Sequence, residues 1–91
     1  MNEFLNRIDE IHTTPMGIDR IKRNLGLSCA DSAVVDWCKS RITAPDATFT
    51  LKGKNWYITS SNAVFTVNKY SMTIITAKLL KDRKYRQLSI C

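Results

Sequence analysis

At Pro45 the hydrophobic period of the chain changes, and this change decides what kind of fold the chain can make. Before it, apolar residues recur every three or four positions; after it, they alternate. Phe4, Leu5, Ile8 and Ile11 fall at helical spacing, so residues 2–11 read as a short amphipathic helix. Thr14 followed by Pro15 offers a capping hydroxyl and then a proline at the first helical position. Met16, Ile18, Ile21 and Leu25 continue as a buried stripe that Gly26 stops. Gly17 either weakens this second helix or lets another backbone come close. "SCAD" at 28–31 has the form of a capping box, with Ser28 as cap and Asp31 three residues on. Ala30, Ala33, Val34, Trp37, Cys38, Arg41 and Ile42 mark the third helix, which "TAPDA" at 43–47 ends.

Beyond that point "TFTLK" places Phe49 and Leu51 on one face, and "KGKN" turns. "WYIT", "AVFTVN" and "MTIITAKLL" follow as strands, separated by the turns "SSN" and "KYS". Connections this short force an antiparallel meander. Helices first and strands afterwards give an α+β domain: three N-terminal helices packed on one face of a four-stranded antiparallel β-meander. The expected layout is a single domain over residues 1–80 and a basic C-terminal tail over 81–91. A chain of 91 residues has room for one modest core.

Composition narrows the function classes. No apolar run is long enough to cross a bilayer, and "MNEFLNRIDEI" is too short and too acidic for a signal peptide, so a cytoplasmic location is expected. Three cysteines, Cys29, Cys38 and Cys91, lack CxxC spacing, and a lone histidine gives a metal too few partners. No metal and no cofactor is expected. Cys29 and Cys38 read as small buried hydrophobes on one helix, and Cys91 as an exposed terminus. The net charge is +6, and Lys78, Lys81, Arg83, Lys84 and Arg86 against Asp82 put a local +4 in the last fourteen residues. Such a tail attracts polyanions, or simply keeps the protein solvated.

There is no glycine-rich phosphate loop, no GxSxG, no HExxH and no pairing of acids on a strand. What remains is His12 with cations, hydroxyls and aromatics. RNA is cleaved by its own 2′-hydroxyl when one group removes the proton, cations hold the phosphate and another group protonates the leaving oxygen. Histidine can serve in either proton transfer. Arg20 and Arg23 are the expected phosphate clamp, and Thr13 and Thr14 present a hydroxyl and backbone N–H groups to an anion. Lys22, Lys54, Tyr57, Lys78 and the tail residues Arg83, Lys84 and Arg86 complete the expected nucleic-acid contacts. Period two sets Thr76 beside Met72 and Ile74, and Thr73 beside Ile75, so only one of the two threonines can line a given site.

Plainer uses compete with each of these. A lone histidine at a helix junction is commonly a surface or capping residue. Arg20, Lys22 and Arg23 also suit the wet side of an amphipathic helix, and threonines suit strands. Trp37 lies on an apolar stripe. Trp56 and Tyr57 point to opposite faces, so one belongs to the core and the other is a base-stacking platform or ordinary surface.

"IHTTPMGIDRIKRNLGL", "VVDWCKSRI", "KGKNWYI" and "VNKYSMTIITAKLLK", in this order, resemble the small bacterial family called domain of unknown function 3781, over roughly residues 8–81. The resemblance implies bacterial or phage origin and a cytoplasmic protein, and it carries no activity. The layout is also similar to the barnase/colicin/RelE-like RNases, which cleave RNA without a metal. That likeness implies His12 as acid or base, Arg20 or Arg23 as phosphate binder and Thr76 as a site hydroxyl. The chain departs from barnase in having no glutamate base on a strand, and the likeness is one of layout only.

The leading expectation is therefore RNA binding, with metal-independent endoribonuclease activity of a toxin or phage effector as its catalytic form. The alternative is a non-catalytic inhibitor or adaptor, such as an anti-defence protein, that docks on another protein or its nucleic-acid groove. A regulatory DNA-binding domain is the third reading, although Trp37 and Cys38 sit poorly on a recognition helix. The last strand could pair with its copy in a homodimer if it lies at the sheet edge.

Overall fold

The computed structural model describes residues 3–60 and 62–80. A short helix α1 (Glu3–Asn6) and one 3-10 turn (Ile8–Glu10) lead into α2 (Pro15–Leu25) and α3 (Asp31–Ile42). Four strands follow: β1 (Thr48–Lys52), β2 (Asn55–Ser60), β3 (Ala63–Asn68) and β4 (Ile74–Leu79). They lie side by side in chain order, each antiparallel to the next. The α+β meander is thus present, with the helices ahead of the sheet. None of the described helices is long and apolar enough to cross a membrane.

The inner face of the sheet carries the core. Ile58, Phe65, Val67, Ile74 and Ala77 are fully or almost fully buried there, against Ile21 and Leu25 of α2 and Val34, Trp37, Cys38 and Ile42 of α3. Each large side chain taken out of water here contributes about 1.5–3 kcal/mol. Phe4 closes the far end, its ring 5.4 Å from that of Phe49 and 5.8 Å from that of Trp56. Trp56 thus belongs to the inner side, and Tyr57 points away from it. On α3, the Arg41 guanidinium lies 5.2 Å above the Trp37 ring, which places this cation on the otherwise apolar stripe.

Several local expectations hold and others do not. Thr14 caps α2 by accepting from the Gly17 amide, Pro15 is the first helical residue, and Gly26 ends the helix in the left-handed region at φ 69°. The neighbour at Gly17 is a side chain rather than backbone: a Cβ there would fall on Thr13 Oγ1. The capping box is not formed. Helix α3 starts at Asp31, so its cap is Ala30, with no side-chain bond; the Asp31 carboxylate instead pairs with Lys22 at 3.0 Å. Cys29 consequently lies in the link before α3, buried like Cys38 but not on the same helix.

Residues 2–11 do not form one helix. The chain bends at Arg7, whose guanidinium donates to the carbonyls of Lys69 and Tyr70 at 2.7 and 3.0 Å, fixing the bend against the β3–β4 turn. Phe4 and Ile11 are both buried on either side of the bend. His12 is therefore not at a helix start. It lies in an extended segment that forms a parallel bridge to Thr73, donating its N–H to Met72 O and accepting from the Ile74 N–H.

The fourth strand breaks its own period. Ile74 pairs with Val67 and Thr76 with Thr66, so Ile75 is an extra residue and the faces switch across it. Thr76 thus faces away from Ile74, not with it. The bulge follows a turn in which buried Met72 takes φ 59°, a left-handed conformation uncommon for a residue with a side chain.

Strand β4 is an edge strand by order, but three of its outward groups are in use. Ile74 N–H and O are bound by His12 O and the Thr13 hydroxyl, and Ala77 O by the Asn24 side-chain amide. Pairing with a second copy along β4 would have to displace these bonds. The outer edge of β1 has no such cover from a described element.

Candidate nucleic-acid interface

No described helix packs on the second face of the sheet. In register across all four strands it carries the row Thr50, Tyr57, Thr66 and Thr76. A parallel row reads Thr48, Thr59, Val64 and Lys78, and Lys52, Asn55 and Asn68 lie on the other side. None of these residues is buried, whereas the inner positions of β3 are fully so. An antiparallel sheet with one face on the core and one in water needs polar side chains outside, and threonine answers that need. A tyrosine at the centre of the row, next to strand hydroxyls, is in addition a flat surface on which a base can stack.

Charge divides along the same line. Residues 1–46 hold seven of the eight acids against six basic residues, while residues 47–80 hold four lysines and no acid. Lys52 and Lys54 flank the β1–β2 turn and Lys69 follows β3; the two turns are tied by Lys69 N–H to Lys54 O at 2.8 Å. Three lysines thus gather at one end of the sheet, and Lys78 lies on its second face. Of the residues expected to meet nucleic acid, Tyr57, Thr76 and Lys78 share this face and Lys54 borders it. Arg83, Lys84 and Arg86 lie outside the described residues.

The helical candidates go elsewhere. Arg20 and Arg23 are exposed on α2, opposite its buried Gly17, Ile21 and Leu25, and make no hydrogen bond or ion pair with a described residue. Lys22 pairs with Asp31 at 3.0 Å, a hydrogen bond that raises its pKa, so a phosphate would have to compete with this carboxylate. Thr13 spends its hydroxyl proton on Ile74 O.

His12 has a different neighbourhood from the one expected. Its Nδ1 lies 2.9 Å from Glu10 O and its Nε2 3.0 Å from Thr73 Oγ1, and Thr73 Oγ1 lies 2.7 Å from Ser71 Oγ. A carbonyl only accepts, so the Nδ1 of the neutral ring carries the proton. Nε2 then accepts from Thr73, and Ser71 donates to Thr73. The protonated ring reverses the chain: Nε2 donates to Thr73, Thr73 to Ser71, and Ser71 to Asn68 Oδ1 at 3.3 Å. Both protonation states are thus satisfied by the same four side chains. The threonine that meets His12 is Thr73; Thr76 lies on the second face of the sheet, beyond the bulge.

One cavity of about 400 Å³ opens between α1 and the β3–β4 turn. Phe4, Trp56 and Met72 form its apolar side, and Arg7, Lys69 and Tyr70 its polar rim. Arg7 is the organiser: Glu10 takes a forked pair at 2.7 and 3.2 Å, holding the carboxyl below the ordinary range and raising the guanidinium. No periodic pattern in the sequence marks Arg7 or Tyr70. Asn68 offered one, since an Asn before a turn accepts from the next amides, here those of Tyr70 and Ser71 at 2.9 and 3.0 Å. Among the described residues no three His, Cys, Asp or Glu side chains stand together to hold a metal ion.

Over residues 5–78, from α1 to the end of β4, the chain matches the family described as "Protein of unknown function (DUF3781)". No curated protein and no solved structure matches it.

Proposed function

The chain belongs to the DUF3781 family of proteins of unknown function, and we propose that it binds single-stranded RNA on the second face of its sheet. The row Thr50–Tyr57–Thr66–Thr76 carries this reading. Tyr57 stacks on a base, and the threonine hydroxyls, donors and acceptors at once, meet 2′-hydroxyls and base edges. Lys52, Lys54 and Lys78 meet phosphates, and the cations of residues 81–91 add to the attraction. The test is titration of a labelled mixed-sequence RNA, and of DNA of the same sequence, with wild type, Tyr57→Ala and Lys78→Ala. Tyr57→Ala should cost about 1–3 kcal/mol, the usual worth of one stacked base. Lys78→Ala should lower the salt slope by about one. RNA affinity unchanged in both variants would end this reading.

Cleavage of that RNA without a metal is the catalytic form of the proposal. The tautomer imposed on His12 suits it: Nε2 is the unprotonated nitrogen, and it serves as the base once the Thr73 hydroxyl turns its proton away. Arg20 and Arg23 have no observed part in it, so the phosphate clamp would fall to lysines of the sheet. In EDTA, His12→Ala should slow cleavage at least ~100-fold. Absence of cleavage by either folded protein would leave binding alone.

The adaptor reading has its own support in β1. Its outer edge has no ladder partner among the described residues, so a strand of another protein could extend the sheet there. Folded protein that binds no RNA would favour it.

A further inference from the structure

We propose that the cavity between α1 and the β3–β4 turn is a nucleotide pocket, with a guanine base inside and its phosphate at Lys69. As the seat of one unit of a bound strand, the pocket rests on the RNA reading; as a receptor for a free mononucleotide, it stands without it.

The argument starts from what the lining side chains still have to give. Arg7 borders the cavity, yet four of its five N–H groups are spent on Glu10, Lys69 O and Tyr70 O, so it chiefly shapes the rim, with one Nη1 N–H left over. The Lys69 ammonium has no carboxylate partner among the described residues. It sits 5.1 Å from the centre of the ring of Tyr70, a residue that is 65% exposed. An exposed ring with a cation beside it offers a stacking surface and an anion site together. Inside, the half-buried Trp56 gives the accessible aromatic wall for a flat heterocycle, and Phe4 and Met72, each 1% exposed, back it from the core. The volume of about 400 Å³ lies at the small end of ligand sites, the scale of a single nucleotide.

Glu3 and Asn6 of α1 complete the lining and supply the selectivity. A carboxylate is an acceptor only, so it favours a base edge with adjacent donors. Guanine presents N1–H and an amino group side by side, and adenine does not. Asn6 can donate to the guanine carbonyl. The pocket also lies at the end of the sheet where Lys52, Lys54 and Lys69 gather, on the Trp56 side, so a strand on the Tyr57 face reaches it by rounding that end.

The experiment follows intrinsic tryptophan fluorescence and amide NMR shifts as GMP, AMP and guanosine are added to the full chain. GMP should quench saturably at millimolar concentration and shift the amides of Tyr70 and Met72. AMP and guanosine should each bind more weakly. Tyr70→Ala, at an exposed site that leaves the core intact, should weaken GMP at least about fivefold, the low end for a lost stack. Lys69→Gln should remove the advantage of GMP over guanosine, and Glu3→Gln that of GMP over AMP. No saturable GMP binding by folded protein, or binding indifferent to Tyr70→Ala, overturns the pocket. The RNA reading fails separately. RNA binding that depends on Tyr57 but not on Tyr70, without GMP binding, removes the pocket alone. GMP binding that survives Tyr57→Ala, with RNA held no tighter than GMP, keeps the pocket and assigns it to the free nucleotide.

Discussion

His12 and Thr73 meet twice across the sheet edge, once as backbone partners in a parallel bridge and once through Nε2 and Oγ1 at 3.0 Å. The backbone pairing closes the first part of β4, and the side-chain contact sets the imidazole. One short segment therefore protects an edge and presents an oriented titratable group. The backbone bridge would form with any residue that carries an N–H; the side-chain contact is the one that a histidine placed only for solubility does not need.

The neutral imidazole should be the Nδ1–H tautomer, whereas free histidine prefers Nε2–H. Long-range proton–nitrogen NMR distinguishes the two directly. Thr73→Val keeps the shape and removes the hydroxyl; it should relax the tautomer toward a mixture and cost about 0.5–1.5 kcal/mol. A neutral Nε2–H ring in the wild type would contradict the hydrogen-bond chain through Thr73 and Ser71.

Gly17 should resist substitution for a reason that its neighbour can relieve. A Cβ at Gly17 falls on Thr13 Oγ1, which is itself tied to Ile74 O. Gly17→Ala should therefore cost about 1–3 kcal/mol, as overpacking usually does, despite the better helix propensity of alanine. Thr13→Ala removes the obstructing hydroxyl. The double variant should be less destabilised than the sum of the singles, measured by urea unfolding.

Opening β4 should make the protein self-associate. Thr13→Val and Asn24→Ala together free Ile74 O and Ala77 O; the His12 bridge still covers the start of β4, so the part of the edge opened to another strand is the one beyond Ile74. Sedimentation velocity should then show a concentration-dependent dimer that the wild type lacks under the same conditions. A double variant that remains folded and behaves as the wild type would mean that the bulge at Ile75 already protects this edge.

Much of the architecture was legible because period and turn chemistry are local. Thr14, Pro15 and Gly26 bounded α2, and the short turns dictated the meander order. Three features were not legible, each for a non-local reason. The bend at Arg7 depends on carbonyls 62 and 63 residues away. The bulge at Ile75 answers the register of β3, so counting by two from Met72 put Thr76 on the wrong face. Ser28 and Asp31 matched a capping pattern, but Asp31 was drawn to Lys22, nine residues back. The site followed suit: Tyr57, Thr76 and Lys78 share a face, while His12, Arg20 and Arg23 were linked by spacing alone.

The Arg7–Glu10 pair should give the stability an acid limb of predictable sign. Hydrogen bonding from Arg7 lowers the folded-state pKa of Glu10 below the ordinary 4.5. A group whose folded value is depressed contributes stability above its unfolded value and loses it as pH falls through the folded one. The wild type should thus weaken relative to Glu10→Gln as pH drops below about 5, and the two should converge once both states are protonated. The pair is exposed, so the effect is small and salt should shrink it. Carboxyl NMR gives the direct check: Glu10 titrates low in the wild type and returns to the ordinary range in Arg7→Ala. The same variant frees Lys69 O and Tyr70 O, so it should also loosen the β3–β4 turn, seen as faster amide exchange at Tyr70 and Ser71.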